Sequence, residues 1–226
     1  MKIDLVVFDM AGTTVNDRDG VNDCLRESIH AAGLTVTREA VNAVMGIPKP
    51  EALRILIHDS PQAAELLPRV MAIHADFVQR MSRFYATDPS VYATPGAEET
   101  FRMLRQMGIK VALDTGFYRG IVEVVLQRLG WHEGSVIDAS IASDEVPRGR
   151  PHPDMIHALM RHFDIHDPGR VAKVGDTPAD LLEGTQAGCG LVVGVTQGSH
   201  TRAQLEVHPH THLIATVAEF PALLSS

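Results

Sequence analysis

Cysteine is almost missing from this chain: Cys24 and Cys189 are the only two among 226 residues, and they stand in unlike contexts. No disulfide framework follows from such a pair, and the scarcity suits a reducing compartment, so both thiols are expected to be inert and the location cytoplasmic. Long apolar runs are missing too. None approaches the roughly 20 residues that span a bilayer, which excludes a membrane partner. Basic charge is in short supply, with Lys and Arg numbering 20 against 28 Asp and Glu, for a formal net charge of -8. An acidic chain without a basic stripe repels phosphate backbones, so no nucleic-acid partner is expected. There is no internal repeat and no low-complexity tract. Lys2 and Asp4 bracket a strand, which is not the pattern of a signal peptide. What remains is an ordinary globular composition, 45% hydrophobic and 21% charged, in a length that suits one sizeable core or one core plus a small insertion.

The apolar run of Leu5, Val6, Val7 and Phe8 reads as a buried strand that delivers Asp9 to its carboxyl end. Ligands of open α/β sheets bind at that end. Gly12, Thr13 and Thr14 then break the strand and offer N–H groups and hydroxyls to an anion. From there to about residue 87 the spacing is helical. Val21, Leu25 and Ile29 precede a stop at Gly33, Thr37 opens a short helix, residues 51–57 a third, and residues 63–85 a longer one. No β-rich run interrupts them, so they read as an all-helical insertion. Beyond Pro95 strands and helices alternate. Strands are expected at 109–113, 136–137, 170–174, 191–195 and 213–214, and helices at 96–107, 121–129, 153–163 and 179–187. That alternation predicts an α/β fold with a parallel sheet and right-handed crossovers.

Four polar clusters follow the apolar strands: Asp9, Asp114-Thr115-Gly116, Arg148-Gly149-Arg150, and Gly175-Asp176-Thr177 with Asp180. In a parallel sheet such loops share one edge and converge. A carboxylate is a competent nucleophile toward phosphorus when a cation neutralises the phosphate, which makes Asp9 the candidate nucleophile; otherwise it is a turn or capping residue. Asp176 and Asp180 face the same side of a helix start and, with Asp9, form an oxygen-rich set suited to Mg2+; alternatively Asp176 merely caps that helix. Thr115 and the Gly116 N–H can donate to a phosphate oxygen or simply start the next helix. Arg150, between two fixed prolines, is favoured over Arg148 as the cation that holds phosphate and offsets Asp9.

These motifs, in this order, are similar to those of the haloacid dehalogenase superfamily. The resemblance covers essentially the whole chain and implies a Rossmann-like core from residues 1–16 and 92–226, with a helical cap at 17–91 joined by linkers near 16–20 and 87–94. It implies a hydrolase working through a phosphorylated Asp9. Mg2+ would be held by Asp9, the carbonyl of Ala11 and Asp176, with Asp180 and Thr13 in support. Most phosphatases of that superfamily carry a second aspartate where Ala11 stands. The run Asp-x-Ala-Gly-Thr-Thr-Val instead resembles the phosphonatases (phosphonoacetaldehyde hydrolases), whose leaving group is carbon and whose cap lysine forms a Schiff base with the substrate. Met45-Gly46-Ile47-Pro48-Lys49 resembles their Met-Gly-x-x-Lys motif, so Lys49 becomes the candidate Schiff-base residue, with Met45 and Gly46 beside the substrate. Read from its residues alone, Lys49 is equally a solvated helix-start lysine. Two positions depart from the pattern: Ala52 stands where the family has histidine, and Phe117 where it tends to have tyrosine.

The expected function is therefore Mg2+-dependent cleavage of a C–P bond in a small phosphonate, with a phosphate monoester phosphatase as the alternative and a non-catalytic binding protein on the same fold as a third reading. A homodimer is the expected assembly. His200, His208, His210 and His212 lie in a polar loop without partners at zinc-site spacing, and metal binding is not expected there. The apolar face of Met71, Phe77, Met81, Phe84 and Tyr85 is read as packing.

Overall fold

The computed structural model describes residues 2–224; Met1, Ser225 and Ser226, at the ends of the expected core segments, lie outside the described residues. Strand β1 (Leu5–Asp9) sits at the centre of a six-stranded parallel sheet with β4 (Lys110–Thr115), β5 (Ala139–Ala142), β6 (Val171–Gly175), β7 (Leu191–Val195) and β8 (His212–Ile214). The order across the sheet is β5-β4-β1-β6-β7-β8. Every residue of β1 is buried, as a strand covered on both faces must be. Its side chains alternate. Val6 and Phe8 enter the larger core, where the Phe8 ring meets Phe101 at 5.3 Å and Phe220 at 5.7 Å. Leu5 and Val7 enter a second core with Met155, Ile156 and Leu159. That period of two, continued one step, sets Asp9 at the sheet's carboxyl edge level with Asp114 of the neighbouring strand.

The crossover helices α6 (Ala97–Gln106), α7 (Arg119–Leu129), α8 (Asp154–His162) and α9 (Pro178–Ala187) cover the sheet, with short α10 (Arg202–Glu206) and α11 (Phe220–Leu223) near the end of the chain. This is the Rossmann-like α/β arrangement that the alternation implies. Five helices occupy the insertion: α1 (Gly20–Ala31), α2 (Arg38–Asn42), α3 (Lys49–His58), α4 (Ala63–Leu66) and α5 (Val70–Thr87). The chain enters and leaves them through two short antiparallel strands, β2 (Val15–Asn16) and β3 (Tyr92–Ala93), in which Val15 pairs with Ala93 and Asn16 with Tyr92. The side chains of Thr37 and Thr177 accept from the N–H groups of Ala40 and Asp180, capping α2 and α9.

Two elements differ from expectation. The strand expected at 136–137 lies at Ala139–Ala142; Ile137 makes only an isolated bridge with Glu133, and the Asp138 carboxylate accepts the Val111 N–H at 2.9 Å. A strand of Ala-Ser-Ile-Ala carries little hydrophobic signal of its own. The helix expected over 63–85 is broken into α4 and α5 by a 3-10 turn at Leu67–Arg69 containing Pro68, which has no N–H for a helical bond.

Candidate active site

Lining one cavity of about 400 Å³ at the carboxyl edge of the sheet are Asp9, Ala11, Met45, Gly46, Lys49, Thr115, Gly116, Phe117 and Arg150. Residues from β1, β4, the loop after β5 and the inserted helices therefore share one space. Thr13, Asp176 and Asp180 are fully buried beside it. Asp9 is 4% exposed. Its Oδ1 accepts from Arg150 Nη1 at 2.6 Å, whereas its Oδ2 has no hydrogen-bond partner among the described residues. Burial, opposed by Arg150 and reinforced by the neighbouring charges of Asp180 and Asp176, pushes the Asp9 carboxyl up to about 8.

Oxygens of Asp9, Asp176 and Asp180 lie within 4.8 Å of one another. The packing of acids in so little solvent is the environment that a divalent cation relieves, and hard oxygen donors fit Mg2+. Asp176 is positioned from three directions. Its Oδ1 accepts from Thr13 Oγ1 at 3.1 Å, and its Oδ2 accepts from the Ser199 N–H at 2.6 Å and Ser199 Oγ at 2.8 Å. Ser199 Oγ in turn meets His200 Nδ1 at 2.9 Å. Asp180 is committed elsewhere. Its Oδ2 accepts from the Thr177 N–H at 3.1 Å, while its Oδ1 faces Arg150 at 2.9 Å and Lys173 at 3.0 Å. Asp180 is thus held to the two buried cations Arg150 and Lys173, whereas among the described residues neither Asp9 nor Asp176 pairs with Lys173.

Lys49 opens α3 and is 3% exposed. The reading of a solvated lysine is overturned: its Nζ reaches the carbonyl of Ile47 at 3.3 Å and lines the cavity. Burial, aided by the Arg150 charge and opposed by Asp9, brings its amine down to about 8. The loop before it is seated on the core through two glycines. At Gly46, with φ of 83°, any Cβ would collide with Thr177 Oγ1. At Gly116 a Cβ would stand 3.1 Å from the carbonyl oxygens of both Gly46 and Ile47. Those contacts bring Lys49 over the end of β4.

Arg150 is 2% exposed, whereas Arg148 pairs with Asp154 at the surface at 2.9 Å. Arg150 turns inward on more than Asp9. Nε donates to Glu183 Oε2 at 3.1 Å, and Nη2 bonds Asp114 Oδ1. Thr115 Oγ1 accepts from the Phe117 N–H at 3.2 Å. Several charged residues here escape sequence reading. Lys173 and Glu183 look like ordinary strand and helix positions, and Ser199 and His200 belong to a loop set aside for its histidines. Asp17, read only as part of a polar break, is buried at the cavity and accepts from Tyr85 Oη at 2.9 Å; burial pushes its carboxyl up to about 6. Cys24 and Cys189 have thiols pushed up to about 12 by burial, as inert cysteines do. No helix among the described residues is long and apolar enough to cross a membrane.

A family model described as haloacid dehalogenase-like hydrolase matches residues 3–188. Phosphonoacetaldehyde hydrolase of Bacillus cereus (strain G9842) is 31% identical over 219 residues, covering 91% of this chain and 82% of that protein. Among solved structures, a phosphonoacetaldehyde hydrolase-like protein from Oleispira antarctica superposes with a TM-score of 0.85 at 22% identity, over 100% of this chain and 92% of the other. CbbY from Rhodobacter sphaeroides in complex with phosphate does so with a TM-score of 0.83 at 21% identity, over 99% and 100% of the two chains. With Asp9 at a strand end and a buried lysine lining one cavity, and with a family model spanning most of its length, this chain belongs to the haloacid dehalogenase-like hydrolases.

Proposed function

We propose that this hydrolase cleaves the C–P bond of a small carbonyl-bearing phosphonate, of the phosphonoacetaldehyde type, using Asp9 as nucleophile and Lys49 as Schiff-base residue. The observation that carries the reading is a buried lysine in the same cavity as Asp9, at a site where Ala11 replaces a second acid. Mg2+ would be held by Asp9, the Ala11 carbonyl and Asp176; when bound, it supplies positive charge against the phosphonate oxygens and the Asp9 carboxylate. Residues 17–91 act as the cap that brings Lys49 to the substrate.

The neutral amine of Lys49 adds to the substrate carbonyl and expels water, and the resulting imine takes up one proton from solvent to become the protonated imine. Asp9 Oδ2 attacks phosphorus in line. The C–P bond breaks as the O–P bond forms, and its electron pair passes into the imine to give an enamine, so no acid is needed at position 11. Protonation at carbon and hydrolysis of the imine return Lys49 and release the aldehyde. Water then cleaves the aspartyl-phosphate. Thr115, the Gly116 N–H and Arg150 hold the phosphoryl oxygens. Arg150 is already bound to four acids, so its main contribution is to oppose the burial that raises the Asp9 carboxyl and to keep that group aimed.

The phosphate monoester reading is favoured by one observation: Ala52 and Phe117, both fully or nearly buried, supply no polar atom near Lys49. The deciding experiment is phosphate release from phosphonoacetaldehyde and from a panel of phosphate monoesters, by wild type and Lys49→Ala, with borohydride trapping. C–P cleavage predicts turnover of the phosphonate, loss of it in Lys49→Ala, and a reduced adduct on Lys49. Monoester turnover that survives Lys49→Ala, with no adduct, overturns the proposal.

A further inference from the structure

A second layer of charge lies behind Asp9, and none of it lines the cavity. Asp114 is the penultimate residue of β4, Lys173 stands in β6, and Asp180 and Glu183 lie on α9; all four are fully buried around Arg150. The donors of the two cations can be followed to their acceptors. Lys173 Nζ bonds Asp114 Oδ1 and lies 3.0 Å from Asp180 Oδ1 and 3.3 Å from Glu183 Oε2. Arg150 Nε reaches that same Glu183 Oε2, and Arg150 Nη2 that same Asp114 Oδ1. Both cations therefore serve one oxygen of each acid.

The other oxygens, Asp114 Oδ2 and Glu183 Oε1, are sealed from solvent with no protein donor. The two acids are close neighbours, with oxygens of Asp114, Asp180 and Glu183 all within 4.8 Å of one another. Two carboxylates have no hydrogen to share, and leaving both oxygens bare in the interior costs several kcal/mol. One proton between them satisfies both.

We infer that Glu183 is a positioning residue that carries a proton in the folded enzyme, donating its O–H to Asp114 while its other oxygen accepts from Arg150 and Lys173, so that the guanidinium stays aimed at Asp9. Asp114 is the acceptor because Arg150 and Lys173 outweigh its burial and hold its carboxyl low. Burial, reinforced by Asp114, pushes the Glu183 carboxyl well up. The charged and titratable groups facing Glu183 are Asp114, Arg150, Lys173, Asp180 and the thiol of Cys189.

The proton count tests this without any substrate. Unfolded Glu183 ionises in the ordinary carboxylate range, so unfolding above that range releases a proton and stability falls as pH rises. In urea unfolding of the full chain from pH 5.5 to 7.5 at fixed Mg2+, the folding equilibrium constant of wild type should fall about tenfold more per pH unit than that of Glu183→Gln. The infrared C=O absorption of protonated carboxyls should lose one carboxyl's intensity in the same variant, beyond what Asp9 and Asp17 contribute. Parallel pH curves, or an unchanged infrared spectrum, overturn the inference.

The activity arm rests on the function proposed above. Glu183→Gln, which retains a donor, should keep kcat within about threefold of wild type, while Glu183→Ala should lose at least tenfold in kcat with little change in KM. A tenfold loss in Glu183→Gln means that the ionised form is needed, and overturns the inference. If Glu183→Ala does not fold, the glutamine variant still decides. If wild type hydrolyses none of the substrates, the proposed function fails while the proton count still stands or falls by itself.

Discussion

Replacing Lys49 by methionine keeps an unbranched chain of similar length and removes the amine, which separates the reactivity of this lysine from its cost to the fold. An ordinary lysine titrates at 10.5, and in the folded protein Lys49 is brought down to about 8. At pH 7 the neutral fraction therefore rises from roughly 0.03% to about 9%, a gain of about 300-fold in nucleophilic amine. The same shift is a penalty on folding. Between about pH 8 and 10.5 the unfolded chain binds more protons at this site than the folded one, so wild-type stability rises with pH across that window, and the full penalty applies below it. Its size is on the order of 3 kcal/mol. Lys49→Met is expected to abolish C–P cleavage and yet to be more stable than wild type at pH 7, by as much as about 3 kcal/mol. The advantage should shrink steadily toward pH 10.5. Urea unfolding at pH 7 and 9.5 measures it, and borohydride trapping of wild type across pH should level off near 8. A methionine variant less stable than wild type at pH 7 would refute the reasoning, as would trapping that keeps climbing to pH 10.

Three further outcomes are expected. Gly46→Ala forces a methyl group against Thr177 at a positive φ, and should cost about 1–2 kcal/mol of stability and raise KM more than it lowers kcat, checked by melting and steady-state kinetics. Asp17 has its carboxyl raised to about 6, so wild type loses stability as pH rises from about 4 through 6; Asp17→Asn should flatten that part of the curve in urea unfolding. Chelation of divalent cations should stop phosphate release and lower Tm, because Asp9, Asp176 and Asp180 are then left to repel one another; calorimetry with and without Mg2+ reads the shift.

Much of this molecule is legible in its sequence because local pattern and global position agree. The run from Leu5 to Asp9 is apolar because both faces of β1 are covered, and that same burial makes its final carboxylate conspicuous. Lys49 stands out by its motif, although only the fold shows that Gly46 and Gly116 let its loop close on the core. What escapes reading depends on distant partners. Lys173 and Glu183 are single charges in unremarkable segments, and their meaning arises when β6 and α9 bring them to Asp114, 59 residues from Lys173 along the chain. Ser199 is a loop serine until Asp176 accepts its two hydrogen bonds. The strand Ala139–Ala142 escapes for another reason. Its residues are small, and its place between β4 and solvent is set by pairing with β4 and not by hydrophobicity.

The pairing of β2 with β3 has a consequence for how such a molecule diversifies. Because Val15 and Asn16 lie against Ala93 and Tyr92, the chain departs from the core and returns to it at a single point. Everything between those four residues can lengthen, shorten or be exchanged without altering the connectivity of the sheet or moving Asp9, since an insertion whose ends already meet imposes no span to bridge. Lys49 belongs to the exchangeable part and Asp9 to the permanent part. Under the function proposed above, new chemistry at the leaving group is then recruited by replacing one module, while the groups that handle phosphorus are inherited whole.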